Sequence, residues 1–347
     1  MSENPFQSVI EALLDSSKPF PKKYLNLFSD IDFLSLKLLL ADWPRISLTR
    51  KRTLLSELNQ VLDEDTTVSF DDFARALLTD PDGSVRVGAM RLLAECEDVK
   101  LIPVYEKILA SDPDPEARAE AAKTLNLFID LGELDELPEA ALHEAENALL
   151  AAARDDNADV RRRAVESLGY SSREEVPALI EAAIQRQDPD WQVSALIAIG
   201  RSSDERWSEH VVRMMLSDDR NLRLQATRAA GELMLPDARL PLMRQLEEED
   251  DPEVFSAIIW SLSQIGGEDV RVYLTNLIDQ TEDEEAVEFI EDALANLAFT
   301  EDLERFDIFA LDPDEDLLEL GGALDEDDEE KESPAPKKPA KGGKKKK

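Results

Sequence analysis

The sequence is poor in cysteine, histidine, glycine and aromatic residues. Its 347 residues include one cysteine, two histidines and twelve glycines, and aromatic residues make up 6%. The single cysteine, Cys96, excludes an intrachain disulfide and a zinc site built on several thiolates. Because aromatic residues are scarce while Ala, Leu, Glu and Arg dominate, the composition favours an all-helical protein.

Basic residues and long apolar runs are also in short supply. The chain has 39 lysines and arginines and 77 acidic residues, which gives a formal net charge of -38. Such a surface repels nucleic acid and anionic lipid as a whole. The longest apolar stretch, IDFLSLKLLLADW, is interrupted by Asp32 and Lys37 and is too short to span a membrane. The N-terminal residues lack a basic segment followed by an apolar run, so we expect a cytoplasmic protein.

What the sequence does contain is one phrase repeated seven times. The phrase is an acidic turn, an anchor residue, and small or apolar residues four and eight positions after the anchor, as in SDPDPEARAEAAKTL. The anchors are Val85, Ala117, Val160, Trp191, Leu222, Val254 and Ala286, spaced 32, 43, 31, 31, 32 and 32 residues apart. Because these offsets share one helical face, each phrase predicts an amphipathic helix, capped by the acid before it. We call these the phrase helices.

A second helical segment follows each phrase, as in LIPVYEKIL and VPALIEAAI, so each repeat is predicted to be a helical pair. One pair cannot bury its apolar face alone, but stacked pairs can. The sequence therefore predicts an all-α, right-handed α-solenoid of about seven hairpins over residues 70–303, preceded by an N-terminal helical cap over residues 1–69. The 43-residue spacing predicts a longer loop or an extended helix between two units.

The C-terminal part has a different composition. Residues 304–322 contain apolar residues among acids and are predicted to form a C-terminal cap or an internal ligand that folds back on the last repeats. Residues 323–347 are acidic and then rich in lysine, which predicts a disordered tail.

The phrases DPDGSVRVGAMRLL, DNADVRRRAVESLG and DDRNLRLQATRAAGEL resemble HEAT repeats, closest to the short bacterial repeats of phycobilin lyases. The resemblance implies that the arginine after the anchor pairs with turn acids, forming a structural ladder, and that the phrase helices line a concave groove. The ladder would comprise Arg86, Arg118, Arg161 and Arg223 with Asp112, Asp155, Asp188 and Asp218.

Offsets two, five and six should point away from the packed face of each phrase helix. The helices WQVSALIAIG and VFSAIIWSLSQIG carry no charge, so we expect either an apolar groove or a cover formed by neighbouring layers or the chain's own tail. The candidate partner-binding residues are Val193, Leu196, Ile197, Leu224, Ile259 and Trp260, with Arg162 and Arg228 to pair with acids on the ligand.

These patterns favour a non-enzymatic scaffold, expected to be a monomer, that binds an unidentified protein or peptide and needs no metal or cofactor. His143 and His210 belong to no cluster, and Cys96 lies between two glutamates that disfavour its thiolate. Two alternatives remain open. The resemblance implies a phycobilin-lyase-like subunit or chaperone, and the lysine-rich tail could contact nucleic acid or ribosomes.

Overall fold

The computed structural model describes residues 6–281 and 283–305, with side chains up to residue 299. All regular structure in these ranges is helical, as the composition and the period predict. The described residues up to Leu297 belong to one compact unit. A second unit begins at Ala298, and its described part is the end of the last helix. Residues 306–322 of the predicted C-terminal cap, and all of the predicted tail 323–347, lie outside the described residues.

The N-terminal region is a small helical cluster around aromatic side chains. It contains α1 (Phe6–Leu14), α2 (Phe33–Asp42) and α3 (Leu48–Glu64), with 3-10 turns at Lys22–Phe28 and Trp43–Arg45. The buried ring of Phe28 lies 5.5 Å from that of Phe6 and 5.0 Å from that of Phe73. Because α3 then packs against the first phrase helix, the cluster adjoins the repeats directly.

Seven successive pairs of helices follow, and the phrase helix is the second member of each. The first members are α4 (Asp71–Leu77), α6 (Ile102–Ser111), α9 (Glu139–Ala152), α11 (Val176–Ile184), α13 (Ser208–Met214), α15 (Arg239–Leu246) and α17 (Glu268–Ile278). The phrase helices are α5 (Gly83–Leu92), α7 (Pro115–Thr124), α10 (Ala158–Leu168), α12 (Pro189–Arg201), α14 (Arg220–Glu232), α16 (Pro252–Ile265) and α18 (Glu284–Arg305). An additional helix, α8 (Asn126–Glu133), accounts for the 43-residue spacing.

The phrase helices from α5 to α16 each pair with the helix before them, whereas the sequence pattern predicted pairing with the helix after them. Loop length explains the difference, since three residues separate α6 from α7 but nine separate α5 from α6. A short connection holds two helices antiparallel and side by side. The acidic turn therefore closes these hairpins. The connection to the next hairpin is the longer one except between α16 and α17, which only two residues separate.

The phrase helices from α5 to α16 stack side by side, and the first members of the hairpins pack against them as a second layer. The anchor Val85 and the residues four and eight places later, Ala89 and Leu93, are all buried. A side-chain oxygen accepts a hydrogen bond from the first turn of each of these six helices. The capping residues are Asp82, Asp114, Asn157, Asp188, Asp219 and Asp251.

Arginines after the anchors connect successive turns in three places. The Arg86 guanidinium donates to both carboxylate oxygens of Asp112, at 2.7 and 2.5 Å, and to the carbonyl oxygen of Asp80 at 2.7 Å. Arg118 contacts both oxygens of Asp155 at 3.0 Å. Arg223 contacts both oxygens of Glu249 at 3.1 Å. In each pair the acid lies two residues before the cap of the next phrase helix.

Three predicted members of the ladder are placed differently. Asp188 caps α12 by accepting a hydrogen bond from the Asp190 amide. The backbone carbonyl of Asp218, and not its carboxylate, accepts a hydrogen bond from Arg223. Arg161 donates to the carbonyl oxygens of Asp155 and Asp156. It has no carboxylate partner among the described residues because the equivalent position of the next turn is Arg186, which stacks over Trp191.

Three glycines at the ninth position after the anchor, Gly169, Gly200 and Gly231, let the next phrase helix approach closely. A Cβ on Gly169 would lie 2.8 Å from the Cα of Ala198, and a Cβ on Gly231 would lie 2.8 Å from the Cα of Ser261. These distances are shorter than normal carbon contacts. Helices α10, α12, α14 and α16 are therefore packed backbone against backbone at these points.

The N-terminal cluster and the first hairpin share a buried ion pair. The Asp80 carboxylate accepts a hydrogen bond from Trp43 Nε1 at 2.7 Å and contacts Lys51 Nζ at 3.2 Å. The same Lys51 Nζ lies 4.8 Å from the centre of the Trp43 ring. Both charged side chains are almost fully buried, so each one neutralises the other.

Candidate partner-binding face

The phrase helices expose a narrow strip of side chains, which we call the phrase-helix face. In α14 the exposed residues of the strip are Asn221, Arg228 and Glu232, and in α16 they are Glu253 and Trp260. Each inner phrase helix is covered on three sides, by two neighbouring phrase helices and by the outer layer. The strip therefore consists mainly of offsets minus one, six and ten, with offsets two and three partly exposed in some of the helices.

Three of the predicted partner-binding residues are buried by the fold. Leu196, Leu224 and Ile259 all lie in the core, so a partner cannot contact them on the folded chain. The prediction treated the side opposite the anchors as open. Offset five, which holds Leu196 and Ile259, instead faces a neighbouring phrase helix.

The other predicted residues reach the surface to different extents. Trp260 is 41% exposed and Arg228 is also exposed, whereas Val193 and Ile197 are half-buried beside them along the strip. Arg162 is mostly covered and contacts two carboxylates, those of Asp159 and Asp190. The structure therefore brings Trp260 and Arg228 together and leaves Arg162 at a separate place on the same face.

A cavity of about 320 Å³ lies beside Trp260, between α14, α16 and α18. Arg228 and Glu253 form one wall, and Gln264 and Phe289 line it with the indole of Trp260. The guanidinium of Arg228 contacts the carboxylate of Glu253 at 3.0 Å. Glu253 also pairs with Arg220, which holds the pKa of the Glu253 carboxyl below its usual value. The cavity thus has an aromatic side and a charged side.

Ion pairs of the same kind join other neighbouring phrase helices along the face. Arg91 contacts Glu120 at 3.0 Å, and Arg162 contacts Asp190 at 2.6 Å. Because these arginines already have carboxylate partners, an acidic ligand would have to displace an internal acid to bind them. Lys123, which is exposed on α7, has no ion-pair partner among the described residues.

Sequence reasoning missed Glu253, Gln264 and Phe289. Glu253 and Gln264 occupy offsets minus one and ten of α16, outside the offsets two, five and six that the projection of a single helix favoured. Phe289 belongs to the seventh phrase, whose offsets two, five and six are all acidic and indicated no apolar contribution.

Neither a candidate metal site nor an activated thiol occurs among the described residues. No group of three or more His, Cys, Asp or Glu side chains in this part of the chain could hold a metal ion. Burial raises the pKa of the Cys96 thiol, and Asp71 raises it further, so the thiolate is disfavoured. Burial and the neighbouring Arg213 lower the pKa of His210. None of the described helices is long and apolar enough to cross a bilayer.

Comparison with known families agrees with the repeated hairpins. A family profile described as HEAT repeats matches residues 71–148, 145–221 and 208–295, which together exceed half of the chain. The chain is a HEAT-repeat protein. The helical hairpins, the stacked phrase helices and the acidic turns are therefore HEAT-type features, and the predicted α-solenoid is confirmed.

Three solved structures are similar to this chain at low sequence identity. An Escherichia coli protein, YibA, is 16% identical, with 81% of this chain and 98% of that one covered and a TM-score of 0.43. The complex of CpcE and CpcF of phycocyanin lyase from Nostoc gives 15% identity, coverage of 65% and 94%, and a TM-score of 0.45. Importin beta gives 14%, coverage of 84% and 41%, and 0.41. No curated protein matches the sequence.

Proposed function

We propose that this HEAT-repeat protein is a non-enzymatic interaction scaffold that binds a segment of a partner protein on the phrase-helix face. The observation that supports this most is the exposed indole of Trp260 beside the cavity between α14, α16 and α18. The proposed scaffold is a cytoplasmic monomer that needs no metal or cofactor. HEAT repeats commonly mediate protein interactions, and repeat stacks offer extended binding surfaces.

The arrangement around Trp260 resembles the centre of a protein interface in miniature. Tryptophan and arginine are the side chains most enriched among residues that dominate binding energy. The charged pair Arg228–Glu253 borders the indole, as a polar rim borders an apolar centre. We infer that a partner inserts one apolar side chain beside Trp260 and hydrogen-bonds to the surrounding polar groups.

The test compares two exposed apolar side chains in different layers. We would crosslink the wild type, Trp260→Ala and Leu240→Ala to interacting proteins in a lysate of the source organism and quantify each captured protein. Leu240 is 59% exposed but lies on α15, in the outer layer. A partner of the phrase-helix face should lose about tenfold of its yield with Trp260→Ala, the equivalent of 1.4 kcal/mol, and none with Leu240→Ala.

Circular dichroism would establish that both variants are folded. Equal yields of every captured protein from the wild type and Trp260→Ala would refute binding at this cavity. Turnover of a substrate by the purified chain, abolished by a substitution on the phrase-helix face, would refute the non-enzymatic assignment.

A further inference from the structure

We propose that the exposed face of α2 is a second docking site, for an acidic amphipathic helix of a partner protein. This α2 face consists of Phe33, Leu34, Lys37, Leu38 and Ala41. Phe33 is 75% exposed, Leu34 66% and Leu38 41%. The site lies in the N-terminal cluster and does not depend on the function proposed for the phrase-helix face.

The five residues form one continuous side of the helix. Their spacing of one, four, five and eight positions places them together on the helical surface. The opposite side of α2 is fixed in the core by Ser35 and Leu39, both of which are buried. The helix packs mainly on α1 and on the turn Trp43–Arg45, which leaves its outer side uncovered within the described residues.

The apolar character of the α2 face is unusual for the exposed side of a surface helix, which normally carries polar residues. A single exposed leucine needs no explanation, but three neighbouring large apolar side chains on one helix indicate an interaction site. The core holds α2 in place, and side chains four positions apart form ridges on its exposed side. Such ridges can pack against the apolar stripe of another helix.

Charge indicates the chemistry of the occupant. Residues 18–57 carry eight basic and four acidic side chains, of which the basic Arg50 and Lys51 are buried, whereas the whole chain has 39 basic and 77 acidic ones. Lys37 is exposed at the centre of the α2 face and forms no ion pair with any described residue. An apolar stripe flanked by acids would bury the three hydrophobic side chains and pair with Lys37. A basic helix would be drawn instead to the acidic remainder of the chain.

Two other occupants fit less well. A second copy docked through the same face would bring two Lys37 side chains together and oppose two chains of net charge -38. An anionic membrane would repel the same net charge. The acidic helix of a different protein satisfies both the apolar side chains and the local positive charge.

The experiment measures binding of defined probes to the full chain by fluorescence anisotropy. The probe is a labelled amphipathic peptide about 18 residues long, with leucine on one face and glutamate on the other. We expect about tenfold weaker binding with Phe33→Ser or Leu34→Ser, and severalfold weaker binding with Lys37→Glu. The control Leu240→Ser removes an equally exposed leucine elsewhere and should leave the affinity unchanged.

Further measurements distinguish the other occupants. A peptide with lysine in place of glutamate should bind much more weakly, and equal binding of the two peptides would overturn the charge argument. Unchanged binding of the acidic peptide by Leu34→Ser, or no binding by the wild type, would overturn the site. Co-sedimentation with anionic vesicles that is lost in Leu34→Ser would assign the α2 face to a membrane. Self-association lost in that variant would assign it to a second copy.

Discussion

Replacing Arg86 with methionine should destabilise the chain much more than the same replacement of Arg161. The two arginines occupy the same position in their repeats, one place after the anchor. Arg86 holds both oxygens of Asp112, and the two side chains are only 9% and 7% exposed. Arg161 holds two backbone carbonyls and no carboxylate among the described residues. The pair of variants therefore isolates the contribution of the buried carboxylate.

The magnitude follows from what each substitution leaves behind. Removing one partner of a buried ion pair costs about 3–5 kcal/mol because the other charge stays buried. Asp112 retains one hydrogen bond, from the Asp114 amide at 2.9 Å, so we expect the lower end, about 3 kcal/mol. Arg161→Met loses hydrogen bonds to two carbonyls that water can reach, which costs about 1 kcal/mol. The expected difference is about 2 kcal/mol.

Urea unfolding followed by circular dichroism would compare the two variants with the wild type at neutral pH. Hydrogen exchange of peptides from α5 to α7 would show where the stability is lost. In Arg86→Met the additional change Asp112→Asn should recover part of the loss, since it removes the unpaired charge. Equal destabilisation by Arg86→Met and Arg161→Met, or no recovery by Asp112→Asn, would refute the reasoning.

Three further predictions concern packing, pH and the thiol. Gly231→Ala should lower the free energy of unfolding by about 1–3 kcal/mol because its Cβ would meet the backbone at Ser261, and a higher melting temperature would contradict this. Burial opposes ionisation of Asp155, but hydrogen bonds from Arg118 and from the Asn157 amide hold its pKa below the usual value. The stability that it contributes should therefore be present above about pH 4 and lost at lower pH, and acid unfolding of Asp155→Asn should lack that component. Asp71→Asn should lower the raised pKa of Cys96 and speed its alkylation at mildly alkaline pH, and an unchanged rate would argue against contact between the two side chains.

The fold could be predicted from the sequence because burial follows the repeat period. The anchors Val85 and Val160 are buried, and so are Ala89 and Ala164 four positions after them. The pairing of helices into hairpins was wrong because the period alone does not say which connection is tight. The number of residues in each loop depends on where the helices end, and that becomes visible only in the structure.

The candidate site could be predicted only in part. Trp260 and Arg228 lie on the exposed strip, but Leu196, Leu224 and Ile259 are buried because inner helices of a stack are covered on three sides. A helical projection of one helix cannot show how many neighbours surround it.

Which side of α2 is exposed could not be predicted from the sequence. Leucines and a phenylalanine occur almost all round α2, so the pattern gives no preferred side. Phe33 and Leu39 look equivalent in the sequence, although one is exposed and the other buried. Only the packing of α1 against α2 separates them.

The contact of Asp80 with Trp43 and Lys51 bears on where the repeat array begins. A chain trimmed to start at residue 70 would keep the first acidic turn but leave its buried aspartate without the indole and the ammonium group. The change in sequence pattern before the first phrase, near residue 70, therefore does not mark the boundary of an independently stable unit. The N-terminal cluster and the first hairpin should unfold as one cooperative block, and any shortened version of this protein that is meant to fold should retain both.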